Sequence, residues 1–355
     1  MNNGRAYEGA RIMVIGVGGG GGNAVNRMKE AGIKGVELVA VNTDAQVLDI
    51  VKADRSVQIG KELTSGLGAG GDPEIGRRAA EESEEALEDL LNGIDMVFVT
   101  CGMGGGTGTG ATPLIAGMAK DKGILTTGIV TKPFSFEGQA RSEKAEMGIE
   151  NLADNVDTII TIANDKLLEV APGNLPITRA FELADEILKQ GVQGISDLIT
   201  VPGMINLDFA DIQSAMKDAG SAMMGIGEGE NDGKTKEAAR NAISSPLLEG
   251  SITGAKNVIM NITGNANLSL EEVTEAASVI QNSVSDKANI IFGTTIQDDI
   301  DLVRLTVIAT GFRRSLEENQ DQLTEDRLLE NVEQVEQTDK QSSNGDLDVP
   351  TFLRR

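Results

Sequence analysis

The sequence predicts an α/β protein in two parts. A doubly wound, parallel sheet comes first, and a long helix then leads to a second, smaller α/β unit. Three observations predict this. Short β-branched runs alternate with stretches of helical spacing. Glycine-rich loops follow the apolar runs instead of interrupting them. One apolar series (Phe181, Ala184, Leu188, Val192, Ile195, Ile199) recurs at three- and four-residue steps through "TRAFELADEILKQGVQGISDLIT".

In order, "RIMVIG" (11–16) reads as a strand, followed by "GVGGGGGN" and a helical "AVNRMKEAGI". "VELVAV" (36–41) is a second strand closed by "NTD". "GLGAGGDPE" (66–74) is a second glycine loop, where Asp72-Pro73 opens one acidic helix, "EIGRRAAEESEEALEDLL". "IDMVFVT" (94–100) is a strand feeding a third loop, "CGMGGGTGTGATP", and "TPLIAGMAKDKG" reads as the next helix. "ILTTGIVT" and "DTIITIAN" are further strands. The long helix at 178–200 spans roughly 35 Å at 1.5 Å per residue, and Gly191 and Gly194 inside it each cost about 1 kcal/mol relative to alanine. Beyond it come a helix at "FADIQSAM", a strand near "SAMMGIGEG", a helix at "KTKEAARNAI", "NVIMNIT", a helix at "LEEVTEAASVIQNSV", "NIIFGTT" and "DLVRLTVIATG". The expected organisation is a disordered 1–10, a first domain 11–177, the connecting helix 178–200, a second domain 201–314, an acidic disordered linker 315–346 and a terminal peptide 347–355. The linker carries ten carboxylates against Arg327 and Lys340, and no aromatic.

Composition narrows the function. The 355 residues are 40% hydrophobic, enough for a sizeable core, but only 3% aromatic. With 55 acids against 31 bases, the net charge of -24 argues against nucleic acid and against an anionic membrane surface. Histidine is absent and Cys101 is the one cysteine, which excludes Ser-His-Asp and Cys-His catalysis, histidine-ligated metals and an internal disulfide. Cys101 itself reads as a small buried residue, although its closeness to the third loop makes alkylation a plausible route to inhibition. No run approaches the ~18 apolar residues of a membrane span, and "MNNGRAYEGA" has no apolar signal core, so a cytoplasmic protein without membrane insertion is expected.

Glycine-rich turns between strand and helix let backbone N–H groups reach phosphate oxygens, and the helix N-terminus adds about half a positive charge. Here there are three, at Gly18–Gly22, Gly66–Gly71 and Gly102–Gly110, all expected at the carboxyl ends of strands. Thr107 and Thr109 add hydroxyls for phosphate or metal-bound water. Gly16, Gly18 and Gly21 also satisfy G-x-G-x-x-G with Asp44 available for a ribose, as in a Rossmann-like oxidoreductase, but that leaves the glycines at 102–110 unexplained. "GKT" at 233–235 fails the P-loop pattern because Glu228 stands where a glycine is required.

"GGGTGTG" at 104–110 resembles the tubulin-type nucleotide signature. "GVGGGGGNAVNRM", "VNTDAQ", "GLGAGGDPEIG", "TKPFSFEG", "GVQGISDLIT" and "NLDFADI" resemble, in order, bacterial cell-division members of the tubulin/FtsZ family over roughly residues 8–313. The end, "DVPTFLRR", resembles that family's partner-binding peptide.

The resemblance implies a Rossmann-like GTPase domain, GTP/GDP binding, head-to-tail self-assembly, and hydrolysis completed at the subunit interface. It implies a ring at mid-cell. It places Gly19, Gly20, Gly21, Gly22 and Asn23 in the first phosphate loop, Gly70 and Gly71 in the second, and Gly104, Gly105, Gly106, Thr107, Gly108 and Thr109 in the central one. Mg²⁺ is expected through phosphates and water, with no dedicated protein ligands. Glu137 and Arg141 match positions meeting ribose and phosphate; without the resemblance they read as a surface ion pair at i, i+4. Phe181 and Asp185 match guanine-contacting positions, and Asn164 and Asp165 a further pocket loop. Asp208 and Asp211, with Asn206, match the residues inserted against the next subunit's γ-phosphate. Read alone, the two aspartates are a helix cap and a first-turn acid. Asp348, Pro350, Phe352, Leu353 and Arg354 would engage membrane-tethering and regulatory division proteins. A scaffold that binds GTP without turnover remains open beside the GTPase and the oxidoreductase.

Overall fold

The computed structural model describes residues 9–170, 175–201, 207–230, 233–248, 250–297 and 300–312. The proposed linker and terminal peptide therefore lie outside the described residues, as does Asn206.

The strands are β1 (Ile12–Val17), β2 (Val36–Asn42), β3 (Arg55–Gln58), β4 (Met96–Gly102), β5 (Leu125–Lys132), β6 (Thr158–Ala163), β7 (Gly220–Gly229), β8 (Asn257–Gly264), β9 (Asn289–Ile296) and β10 (Val303–Thr310). The helices are α1 (Gly18–Glu30), α2 (Ala45–Ile50), α3 (Lys61–Thr64), α4 (Pro73–Glu82), α5 (Glu84–Leu90), α6 (Thr107–Asp121), α7 (Gln139–Asp154), α8 (Asn164–Val170), α9 (Ile177–Thr200), α10 (Phe209–Met216), α11 (Lys234–Ile243) and α12 (Leu270–Gln281).

Strand order is β3-β2-β1-β4-β5-β6-β7-β10-β8-β9, with β10 antiparallel to both its neighbours and every other pairing parallel. β7 carries the sheet from its first half into its second. Its start pairs with β6 over Gly220–Ala222, and its remainder pairs with β10. Alternation along β1 explains the two layers. Ile12 and Val14 face the cluster under α1 and α9, while Met13, Ile15 and Val17 face the cluster under α4 and α6. A third cluster lies between β7, β8 and β10 and the pair α11 and α12.

The central helix runs 24 residues from Ile177, or about 36 Å. Its two glycines are explained by close approach. A Cβ on Gly191 would meet Ile129 of β5 and Met224 of β7, and one on Gly194 would come within 2.8 Å of Thr306 on β10.

Two expectations are corrected. The single acidic helix after Asp72 is two helices, broken at Ser83 (φ -109°, ψ 19°), whose hydroxyl accepts from Gly60 N at 3.0 Å. β3 was not anticipated from the sequence. It is a four-residue edge strand, "RSVQ", with no apolar run to announce it.

Candidate functional site

The strand order reverses between β1 and β4, since β1 leads to β2 on one side while β4 lies on the other. In doubly wound sheets ligands bind at such a switch point, outside the carboxyl ends of the strands. Here α1 starts directly from β1, and the loop 103–106 leads from β4 into α6. Neither α1 nor α6 has a side-chain cap or an acid in its first turn, so each presents uncompensated backbone N–H groups to the same crevice.

The glycines sort into two kinds. Gly16 and Gly21 are packing glycines: a Cβ on Gly21 would lie 2.5 Å from the Thr100 carbonyl oxygen and 2.9 Å from Gly16 Cα. The expected first loop, Gly18–Gly22, is the opening turn of α1, and a Cβ on Gly18 would lie 3.0 Å from Gly108 N, so the first turns of α1 and α6 touch backbone to backbone. Gly20 faces Gly102 N at 3.1 Å, Gly22 faces Val51, and Gly106 meets Ala69 and Asp72 N, each at 2.8 Å. Gly104 lies against Arg141. Gly19 and Gly105 are different, because an added Cβ at either would meet nothing within 4 Å. Nothing in the folded chain requires glycine there, so the open space in front of them is what a ligand would fill. Gly70 and Gly71 also face open space, but at positive φ (59° and 75°), which gives them a conformational reason as well.

The threonines hold the cradle together. Thr107 Oγ1 shares a buried 2.7 Å hydrogen bond with Thr43 Oγ1, joining the end of β2 to the start of α6. Thr109 Oγ1 accepts from Gly104 N at 2.8 Å, so its hydroxyl shapes the loop from within. Lys144 on α7 donates to the Gly71 carbonyl at 2.7 Å. Asn23 is exposed on the first turns of α1.

Glu137 and Arg141 form the i, i+4 ion pair at 3.1 Å, and Glu137 also accepts from Phe134 N at 2.9 Å. The pair stands beside the central loop, since a Cβ on Gly104 would lie 2.7 Å from Arg141 Cγ. Phe134, Phe136 and Phe181 make an aromatic cluster. Phe134 and Phe136 stack at 5.1 Å, and Phe181 meets Phe134 edge-on at 5.4 Å. Phe136 and Phe181 remain exposed. Asp165 takes the backbone N–H of Ser135 at 3.0 Å and also its hydroxyl, which pins this loop to the start of α8. Asn164 next to it is buried, and its Oδ1 has no partner. Among the described residues that buried acceptor is unsatisfied, so it is available to a donor from outside the chain.

Asp185 on α9 is largely buried. Desolvation pushes its carboxyl up to about 6, against the pull of Arg27, whose Nε is 3.5 Å away. Asp208 caps α10 and takes Asp211 N at 2.9 Å. Both aspartates are exposed. Among the described residues neither hydrogen-bonds to the glycine loops, and α10 ends against the start of β6, where Thr158 donates to the Met216 carbonyl, at the opposite ends of the strands from the glycine loops.

Cys101 is fully buried against Met103, and burial pushes its thiol up to about 12. A buried, protonated thiol is a poor nucleophile, which argues against alkylation of Cys101 in the folded protein. Asp165 was expected beside Asn164, whereas Thr43, Phe134 and Phe136 were not expected at the site. Their signals were the "NTD" after the second strand and the two phenylalanines inside "TKPFSFEG". Among the described residues no group of three or more potential ligands is placed to hold a metal ion, and no helix is long and apolar enough to cross a membrane.

Residues 11–172 match the Tubulin/FtsZ family, GTPase domain, and residues 220–313 match the FtsZ family, C-terminal domain. Among solved structures, an empty FtsZ dimer from M. jannaschii is 45% identical, with TM-score 0.83 over 85% of this chain and 88% of that one. A tryptophan-to-tyrosine mutant of M. jannaschii FtsZ matches at the same identity and score, over 86% and 92%. CetZ2 from Haloferax volcanii, solved as a GTPgS-bound protofilament, shares the fold at 20% identity and TM-score 0.73, over 91% and 99%.

Proposed function

Because the chain belongs to the tubulin/FtsZ family, we propose that it binds GTP across the α1 and α6 loops, polymerises head to tail, and hydrolyses GTP only where two subunits meet. Membership itself makes it a GTP-binding, polymerising cytoskeletal protein of the FtsZ type. The FtsZ relatives named above are archaeal, so membership does not carry the bacterial origin that the motifs suggested.

One observation carries the nucleotide reading. Two uncapped helix N-termini converge on the switch point, in contact at Gly18 and Gly108, with open space at Gly19 and Gly105. Neutral amides and helix ends would hold the triphosphate there. Mg²⁺, carried on phosphate oxygens and water, would supply the remaining positive charge. Guanine would lie by Phe181, with Asp185 accepting from N1–H and the exocyclic amine, and Asn164 Oδ1 offers a further acceptor. Adenine presents no such donor pair to a carboxylate.

Asp208 and Asp211 point the same way by standing apart from the loops of their own chain. In a head-to-tail contact they would face the γ-phosphate of the neighbour, and with no histidine in the chain a carboxylate is the available group to orient water. A heterologous contact of this kind propagates as a filament. The proposed place of work is a division ring on the cytoplasmic side of the membrane. The terminal residues Asp348–Arg354 would bind tethering and regulatory division proteins.

The test is phosphate release from GTP per subunit across a range of protein concentrations. A threshold followed by a plateau is expected. A finite rate independent of concentration would mean that each chain holds a whole active site, and the assignment of Asp208 and Asp211 would fall.

A further inference from the structure

The seam between α9 and the second half of the sheet is polar where most of the interior is apolar. Asn261 of β8 donates to the Gly194 carbonyl at 3.5 Å and accepts from Thr295 at 3.2 Å. Beside this contact is a cavity of about 20 Å³, room for a single water. Its walls include the amides and hydroxyls of Gln193, Asn261, Thr263 and Thr306, with Asp197 from α9 and Arg304 from β10. Among the described residues lining it, these last two are the charged ones.

Asp197 is only 6% exposed, and burial pushes its carboxyl up to about 6 against a hydrogen bond from Gln193. It has no cationic partner among the described residues. Arg304 instead holds Glu228 of β7 through Nε at 2.8 Å and Nη2 at 2.7 Å. The Arg304–Glu228 pair is substantially exposed, and exposed pairs contribute little. An ionised carboxylate left unpaired in the interior is costly, and a guanidinium on the wall of the same cavity can relieve it.

We propose that Arg304 is a proton-controlled latch between the central helix and the sheet: it holds the Glu228 pairing seen here while Asp197 is protonated, and turns to pair with Asp197 once that carboxyl ionises. Acid therefore favours the Glu228 pairing, and rising pH favours a direct ionic tie from α9 to β10. This latch needs no nucleotide and does not rest on the functional reading above.

The test is a set of double-mutant cycles on the full chain, read as unfolding equilibrium constants near pH 5 and near pH 7.5. The variants are Asp197→Asn, Glu228→Gln, Arg304→Gln and their pairs. At the higher pH the 197–304 coupling should be about fivefold or more, falling to about twofold or less at the lower pH. The 228–304 coupling should change in the opposite direction. A 197–304 coupling that is absent, or equal at the two pH values, overturns the latch. A second readout does not depend on disturbing the seam. In Glu228→Gln, an exposed change, the Asp197 carboxyl followed by NMR should titrate at least half a unit lower than in the parent, because Arg304 has lost its competing partner. An unchanged midpoint also overturns the proposal.

Discussion

Alanine at Gly19 and at Gly21, two positions apart in the first turn of α1, should have opposite consequences. At Gly21 the methyl would sit 2.5 Å from a carbonyl oxygen and 2.9 Å from Gly16 Cα, well inside contact distance. Backbone must move, and overpacking of that kind costs about 1–3 kcal/mol. At Gly19 the methyl meets nothing within 4 Å, and no unusual φ is required. Stability should hold, or rise by up to about 1 kcal/mol, because alanine is the better helix residue. Ligand binding should reverse the ranking. A methyl on the open face keeps phosphate from the amides, and a hydrogen bond to a charged group contributes about 1.5–3 kcal/mol. That corresponds to roughly 10- to 150-fold in affinity. The assay is urea unfolding of Gly19→Ala and Gly21→Ala, with GTP and GDP affinity measured on both. Gly19→Ala should unfold like the parent and bind at least about tenfold more weakly. If it binds as the parent does, the open space at Gly19 is not where phosphate sits.

Other expectations are more direct. Asp211→Ala should bind GTP normally and release phosphate poorly, and it is a clean variant because the Asp208 cap takes the Asp211 backbone N–H and survives; near-parental turnover would remove Asp211 from the reaction. Asp208→Ala should in addition cost about 1 kcal/mol from the lost cap, seen as a lower Tm. Asp185 has a raised folded value of about 6, so its contribution to stability is full below the ordinary carboxylate range and is lost as pH rises through 6. The same group must be ionised to accept guanine, so GTP affinity should fall as pH drops below 6, and in Asp185→Asn that dependence should vanish. Cys101 should resist thiol reagents at neutral pH in the folded chain and react on unfolding, which labelling against urea concentration would show.

Much of the fold was legible because its signals are local. Asp72-Pro73 announced α4, and the structure has that aspartate accepting Glu74 N at 2.9 Å with proline at the first helical position. The cap of α10 was legible in the same way, from two aspartates three apart. What was missed is non-local. Ser83 breaks the acidic helix because it is held from Gly60, which no pattern around residue 83 reveals. Thr43 and Thr107 meet across 64 residues, and Phe181 meets Phe134 across 47. Glycine counting found all three segments, but not that Gly18–Gly22 is the opening turn of α1, nor which glycines pack and which stand open, since that depends on atoms supplied by other strands.

The charge balance around the loops decides which cation a triphosphate can recruit. Arg27, Arg141 and Lys144 border these elements, and each is engaged. Releasing Arg27 would leave Asp185, mostly buried, with one fewer cation and a carboxyl driven still higher. Arg141 is better placed to move. Its partner Glu137, though itself mostly buried, keeps the Phe134 N–H as a second donor, and Arg141 is half exposed. Arg141 is therefore the cation free to turn toward phosphate, and Arg27 the one that must stay. Arg141→Gln should weaken GTP and GDP binding while leaving Tm nearly unchanged, whereas Arg27→Gln should lower GTP affinity through Asp185, and more so at low pH. Titrating both variants with nucleotide at two pH values separates the roles. Equal losses that do not depend on pH would mean that neither arginine acts through its carboxylate.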